Sequence, residues 1–352
     1  MKAWTVAKHG GPEVLTHVDL PDPVPGPMEA LVQVEAVGLN HLDLWLRNGV
    51  PGHRFHLPMV PGGDISGKIL KYGPVPDGTE LLKEGTQVIL NPGVSCGTCE
   101  KCLSGNDFLC PKFGILGETQ HGGCADLIVV PIANLIRRPE NISAAEGAAL
   151  SIPFVTAWSM LHRKARIQPG ETVLIQAGGS GVSVAAIQMA KQAGATVITT
   201  VGSEEKAKKA RALGADFTIL YKTQNFRDEL KKILKVLGKK GCEVALDHVG
   251  SDTFAESLKS LAWGGRLATC GATSGSNVTL DLKVIFFKNI SVLGTTMGSK
   301  ADFIRIVQLV AEKKLKPVID QTLPLSQLPK AMELLETRKV FGKVVLTNTA
   351  SN

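Results

Sequence analysis

Cys96, Cys99, Cys102 and Cys110 follow one another with two, two and seven residues between them. Zinc takes four thiolates in a tetrahedron, and a complete set of four leaves no coordination position open for a substrate. The residues between them include Gly97, Thr98, Ser104, Gly105 and Asn106. These are turn formers, as a loop wrapped round a single ion needs. The pattern predicts one structural zinc per chain. A local disulfide is the weaker reading, because the chain has seven cysteines, an odd number, and a reducing compartment is expected. Cys124, Cys242 and Cys270 sit among core-like neighbours and read as small buried hydrophobes.

A second stretch points to a phosphate. The apolar run TVLIQAG (172–178) leads into Gly178, Gly179, Ser180, Gly181, Val182 and Ser183, and then into a helical pattern. Small residues let a backbone approach a pyrophosphate closely, and a helix N-terminus offers free N–H groups to it. The strand–turn–helix context is what gives such a turn its meaning. Ser183 stands where the usual pattern has a third glycine. The next apolar run ends at Gly202, followed by Ser203, Glu204, Glu205 and Lys206. NAD-binding units place a carboxylate at the end of that strand to bond the ribose 2′-hydroxyl. Glycine there removes a repulsion from a 2′-phosphate, Ser203 can donate to it, and Lys206 can add charge. NADPH is the expected cofactor, with NADH the less favoured one.

The elements that must position these groups are of two textures. Up to about residue 90, short apolar runs such as 31–38 and 64–73 alternate with turn residues, and PDPVPGP (21–27) excludes helix. From about 143 the chain alternates strands and helices. Ser143 and Glu146 form a capping-box pattern, and 226–237 carries apolar residues at helical spacing. Strands are expected over 242–250 and 265–272, then helices and a last strand, GKVVLT. With 352 residues, two domains fit. The net charge of +7 is small for so long a chain and is weak support for nucleic-acid binding. No apolar run reaches the ~18 residues of a membrane span, and MKAWTVAKHG lacks the apolar core of a secretory leader, so a cytoplasmic protein is expected.

With these residues in view, the sequence resembles the medium-chain dehydrogenase/reductase superfamily, which includes zinc alcohol dehydrogenases and zinc-free quinone reductases. The motifs that carry the resemblance are VGLNHLDLW (37–45), LPMVPGGDISGKI (57–69), the four-cysteine lobe, the glycine turn, GSEEK (202–206) and FGKVVL (341–346). It implies a mixed α/β and β fold: a GroES-like catalytic domain over 1–135 and 300–352, with a zinc lobe at 91–113. A Rossmann-type domain with a doubly wound parallel sheet, 136–299, would be inserted, and the cofactor would lie in the cleft between the two. The resemblance also implies roles. Asn40 matches a residue beside the nicotinamide ribose, His41 one near the pyrophosphate, Asp43 a buttress and Thr156 a residue packing on the nicotinamide. Tyr221 matches a tyrosine near the 2′-phosphate, and Val249, Gly250 and Gly271 end strands facing the cofactor.

The departures shape the expected chemistry. Catalytic-zinc members carry Cys where this chain has Asn40, a hydroxyl relay at Leu42, His-Glu at Gly63-Asp64 and a third ligand near Ile152. Only Asp64 is a usual zinc ligand, and three donors are needed to hold a Lewis-acid zinc. Hydride transfer to a substrate already electron-poor, such as a quinone, an enone or another conjugated carbonyl, is therefore expected. His53, His56, Asp64, Glu118 and His121 are the donors left for a non-standard metal, though loop histidines are usually solvated. Two rival functions fit less well. One is an alcohol or aldehyde dehydrogenase with such a metal. The other is a low-turnover NADPH sensor or RNA-binding protein, suggested by the lysines of 204–211 and 231–240. A homodimer or homotetramer is expected, joined near the apolar stretch 289–298.

Overall fold

The strand Glu29–Gly38 is the spine of the first part of the structure, which is a computed structural model describing residues 1–348. It pairs antiparallel with Asp64–Tyr72 on one side and with Lys343–Thr347 on the other, and Leu127–Pro131 also joins it. Among the described residues the sheet has seven strands, and only Ile319–Pro324 beside Lys343–Thr347 runs parallel to its neighbour. Val32, Val34 and Val37 of the spine are buried with Ile65, Ile69, Leu44 and Leu346 in one core. The helix His41–Asn48 begins where the spine ends and stops at Gly49, whose φ of +78° suits glycine.

The chain divides into two compact units. One is Met1–Ile152 with the segment from Ser299 onward, and the other is Pro153–Gly298. The first junction therefore falls at 152–153, beyond the 135–136 expected. The reason is packing: Leu135–Arg137 pairs with Gln87–Leu90, and Ala148 and Ala149 pack against Ala36 and Val345 of the first sheet. The second junction lies at 298–299, one residue from the position expected. Residues 349–352 of the expected catalytic domain lie outside the described residues.

The second unit holds six parallel strands in the spatial order Phe217–Leu220, Thr196–Val201, Thr172–Ile175, Cys242–Leu246, Leu261–Thr269, Ser291–Gly294. The first strand in sequence lies at the centre, and the chain winds outward from it in both directions, as in a doubly wound sheet. Thr172–Ile175 is buried throughout, which explains its unbroken apolar sequence. The helix Phe226–Val236 buries Leu230 and Leu234 and turns Lys231, Lys232 and Lys235 outward. Lys232 pairs with Glu229 and Lys209 with Glu205, so those basic runs include ordinary solvated helix pairs. Two expectations shift. The strand expected over 242–250 ends at Leu246, because Asp247 turns the backbone. The helix Ser151–Trp158 continues as a wider π-type turn over Ser159–Lys164, which no periodicity announced.

Gly67 shows how tightly the first sheet is packed: a Cβ there would lie 2.2 Å from the Gln33 carbonyl oxygen and 2.8 Å from Val32 Cγ1. Gly67→Ala is expected to lower unfolding stability by about 1–3 kcal/mol through this overpacking, read as a lowered midpoint in chemical denaturation.

Candidate functional site

The four cysteines converge. Their sulfurs all lie within 4.8 Å of one another, with Cys99–Cys102 at 3.5 Å and Cys96–Cys102 at 3.9 Å. Four thiolates at about 2.3 Å from one zinc stand roughly 3.8 Å apart, so the set fits that ion. Peptide N–H groups point at the sulfurs: Cys99 donates to Cys96, and Lys112 donates to Cys110 at 3.3 Å. Bonds from the backbone of Thr98 and of Cys99 hold the Cys96 thiol down at about 6, in the range where the thiolate ligand forms easily. The lobe hangs on a two-stranded ribbon, Gly93–Val94 with Gly114–Ile115. Asp107 behind it accepts from the Lys300 amide at the start of the helix Lys300–Ala311. Among the described residues this is the one group of three or more His, Cys, Asp or Glu side chains placed to hold a metal. The chemistry of a closed set of four is structural.

Positions 40, 63, 64 and 152 also converge in the first unit, but around a different cation. The Lys343 ammonium donates to the Leu39 carbonyl at 2.6 Å, to Asn40 Oδ1 at 2.7 Å and to Asp64 Oδ2 at 2.8 Å. All three of its hydrogens are thus committed. Asn40 Nδ2 donates to Asp64 Oδ2 at 2.9 Å, and the Ile152 amide donates to Asp64 Oδ1 at 2.6 Å. The Lys343 side chain is 3 % exposed and that of Asp64 is 0 % exposed. At Gly63, where the resemblance expects a histidine in metal-using members, a Cβ would lie 2.7 Å from the Leu116 carbonyl oxygen and 2.8 Å from Ile152 Cδ1. No side chain fits there without moving backbone.

Asp43 supports this wall from behind. Its carboxylate accepts from the Asn40 amide and the Gly62 amide, both at 2.7 Å. Burial pushes its pKa up to about 6, against the pull of those two bonds. His41 is half-buried at the start of the same helix, with Trp45 edge-on 6.3 Å away. Of the other donors considered for a metal, His53 faces Glu118 at 3.3 Å, while His121 Nδ1 accepts from the Val60 amide.

In the second unit, the residues singled out from sequence fall at the carboxyl ends of the parallel strands. Ala177, at φ +51°, turns the chain after Thr172–Ile175. A Cβ on Gly178 would meet Thr199 Oγ1 at 2.4 Å, so the turn sits directly on the neighbouring strand. Ser180 caps the helix Gly181–Gln192 by accepting from the Ser183 amide, which leaves the Gly181 and Val182 amides without intrahelical acceptors. Gly202 and Ser203 follow the next strand, and Ser203 accepts from the Lys206 amide as a helix cap. The Tyr221 hydroxyl stands 2.9 Å, and Lys222 Cε 3.4 Å, from where a Gly202 Cβ would be. Val249 and Gly250 donate their amides to the fully buried Asp247, and Gly271 follows Leu261–Thr269. Thr156 is buried, its hydroxyl directed at Met297 Sδ.

Sequence reasoning missed several of these partners. His248 Nε2 lies 2.8 Å from Ser180 Oγ and 3.0 Å from Ser183 Oγ, where two neighbouring strand-end loops meet. Asp247, which also binds Thr253 and Ser257, and Lys222 were equally unsignalled. In the sequence, Lys343 stands out only through the tail motif FGKVVL. Removing its charge leaves Asp64 buried without a counter-ion. Lys343→Met is expected to cost about 3–5 kcal/mol of stability, measured by urea unfolding, and adding Asp64→Asn to it is expected to recover part of that loss.

The comparisons with known proteins agree with this geometry. Residues 26–140 match the model of the alcohol dehydrogenase GroES-like domain, and 181–312 match that of the zinc-binding dehydrogenase family. A solved structure described as an NAD-dependent alcohol dehydrogenase is 47% identical, with a TM-score of 0.92 and 99% of both chains covered. The quinone oxidoreductase of Rattus norvegicus is 30% identical over 98% of this chain and 97% of its own. The acryloyl-coenzyme A reductase of Sulfurisphaera tokodaii is 33% identical over 93% of this chain and 95% of its own. Its two-unit architecture, four-cysteine lobe and full-length relatives show that the chain belongs to the medium-chain dehydrogenase/reductase superfamily, as an oxidoreductase of that type.

Proposed function

We propose that this protein is an NADPH-dependent reductase of quinones, enones or other conjugated carbonyls that works without a catalytic metal. The observation that carries the reading is the Lys343 ammonium among Leu39, Asn40 and Asp64. A divalent ion held at Asp64 would face a buried positive charge already bonded to that carboxylate, with no thiolate or imidazole in the set. The names of the quinone oxidoreductase and acryloyl-coenzyme A reductase relatives support the same class of acceptor.

The residues of the second unit fit a nicotinamide dinucleotide, whose chemistry is to supply a hydride. The Gly181 and Val182 amides suit its pyrophosphate. Ser203, Lys206, Tyr221 and Lys222 around Gly202 suit a 2′-phosphate. The Tyr221 hydroxyl over a residue without a side chain is the strongest support for NADPH over NADH. His248, bonded to both serines of the turn, orients that turn. Asn40 is assigned the ribose side of the nicotinamide, Thr156 its ring, and His41 the pyrophosphate. Asp43 positions Asn40 rather than touching substrate.

The test is a single coupled measurement. NADPH is expected to bind at least tenfold more tightly than NADH in a fluorescence titration, tenfold being about 1.4 kcal/mol. Quinones or enones are expected to turn over at an unchanged rate with chelator present, with one zinc bound per chain. The name of the 47%-identical structure favours a second reading, an NAD-dependent alcohol dehydrogenase. NADH preference, alcohol oxidation and a second zinc whose removal stops turnover would establish that reading instead.

Assembly follows from an unpartnered edge. The strand Ser291–Gly294 ends its sheet, and Trp263, Leu282, Phe286, Phe287 and Val292 are exposed in the elements around it. Pairing of this edge between copies gives a homodimer, or a tetramer by further association. Light scattering is expected to give a mass of two or four 37.4 kDa chains at micromolar concentration, and a monomer would contradict the assignment.

A further inference from the structure

Two of the charged groups beside Asn40, Lys343 and Asp43, are engaged by the protein's own backbone and side chains. The Lys343 hydrogens are all bonded, and Asp43 faces two peptide amides. A reduced conjugated carbonyl nevertheless needs a proton. We propose that Glu118, recharged through His53, is the acid that protonates the substrate. This rests on the reading of the protein as a reductase of conjugated carbonyls.

The geometry begins with the loop 114–121, which lies on the wall itself. The Leu116 carbonyl oxygen closes the space over Gly63, and a Cβ on Gly117 would come within 2.9 Å of the backbone of Gly62. Gly62 donates to Asp43, and Asp43 accepts from Asn40. Glu118 is thus carried by a loop seated against the Asn40–Gly63 wall. The loop is fixed in place: Thr119 bonds both polar groups of Ile115, and the Gly117 amide donates to the Gln120 carbonyl. From the other side comes the loop after the helix His41–Asn48, where the His53 amide donates to Val50 and the His53 ring lies edge-on to Phe55 at 4.5 Å. These two loops bring His53 Nε2 to 3.3 Å from Glu118 Oε1.

Exposure gives the two residues different tasks. The Glu118 side chain is 15 % exposed and that of His53 is 47 % exposed. Burial raises the Glu118 carboxyl above its ordinary range, while a protonated His53 pulls it back. When protonated, His53 is the partner whose charge acts on this carboxyl. Of the neighbouring groups, His121 is turned to the Val60 amide, and Arg54 and His56 are exposed in the His53 loop. A shielded acid beside an exposed imidazole is the arrangement of a donor with a route to water.

An enone that accepts a hydride at its β-carbon shifts its π electrons to oxygen and becomes an enolate. The Glu118 O–H bond breaks, its proton goes to the enolate, and the electron pair stays on the carboxylate. A protonated His53 then returns a proton to Glu118 and takes another from solvent. One NADPH, one proton and one enone give NADP⁺ and the saturated carbonyl. A hydroquinone anion is a weaker base than an enolate and depends less on this acid.

Glu118→Gln, Glu118→Asp and His53→Asn test this in the full-length protein, with NADPH as reductant and 2-cyclohexen-1-one or 1,4-benzoquinone as acceptor. Glu118→Gln is expected to lower kcat/KM for the enone by about 100-fold, in the range of a lost general acid. Its effect on the quinone is expected to be at least tenfold smaller, with the Kd for NADPH by fluorescence within about twofold of the starting protein. The alkaline fall of enone kcat/KM is expected to move to higher pH in His53→Asn, since the lost cation no longer favours the carboxylate. It is expected to persist in Glu118→Asp and to vanish in Glu118→Gln. Equal losses for both acceptors, no loss for either, or a fall that stays in place in His53→Asn would overturn the assignment of Glu118 while leaving the reductase reading intact. If the unaltered protein reduces neither acceptor but oxidises alcohols, the reductase reading itself fails, and the assignment fails with it.

Discussion

A buried ammonium with three oxygen acceptors fixes the wall of the first unit. Taking a lysine out of water costs several kcal/mol unless every hydrogen finds a partner and a counter-charge lies near. Leu39, Asn40 and Asp64 meet that demand together, and none is dispensable to it. The requirement also acts in reverse. Asn40 has its amide oxygen held by Lys343 and its amide nitrogen held by Asp64, so its orientation is set from both ends. The interaction joins the end of the spine strand, the start of Asp64–Tyr72 and the last strand of the chain. The C-terminal strand is thereby part of the wall and not merely the edge of a sheet.

The same unit thus holds two cation-centred clusters of opposite chemical character. Four soft sulfurs surround a site for a soft, exchangeable ion, and peptide amides point at those of Cys96 and Cys110. The second cluster consists of hard oxygens, and its cation is covalently part of the protein. A thiolate set loses its reason for being when the metal leaves, whereas the ammonium cannot leave. The zinc lobe therefore depends on metal supply for its structure, and the wall does not.

Local features were legible in the sequence because local rules determine them. The four-cysteine spacing, the glycine turn before a helix, and the Ser143–Glu146 capping box all appear as read. Buried parallel strands announced themselves as unbroken apolar runs, and the outward lysines of Phe226–Val236 followed from its periodicity. What escaped was set by distant pairing. Lys343 and Asp64 are 279 residues apart, and each alone resembles a surface charge. Asp247 looked like the continuation of a strand, and only its four bonds to Val249, Gly250, Thr253 and Ser257 explain why the strand stops at Leu246. The 152–153 boundary escaped for a related reason. Residues 136–152 carry the start of a helical texture but pack on the first sheet, and texture does not reveal packing partners.

In the proposed metal-free reading, Asn40 and Gly63 in place of metal donors have a consequence for proton chemistry as well as for charge. A Lewis acid stabilises an oxyanion without a proton, and a site lacking one must neutralise that oxyanion by transferring a proton. The Lys343 ammonium is unsuited to either task, because its donors are all engaged by acceptors of the protein. A carboxyl group whose pKa is raised by partial burial meets the need, provided it can be recharged between turnovers. Glu118 is partly buried and His53 half-exposed, and the loop bearing Glu118 is the one whose Leu116 carbonyl fills the space above Gly63. The glycine that excludes a ligand side chain and the loop that brings an acid are thus parts of a single packing arrangement. A larger residue at 63 would restore room for a ligand only by displacing the loop that carries Glu118.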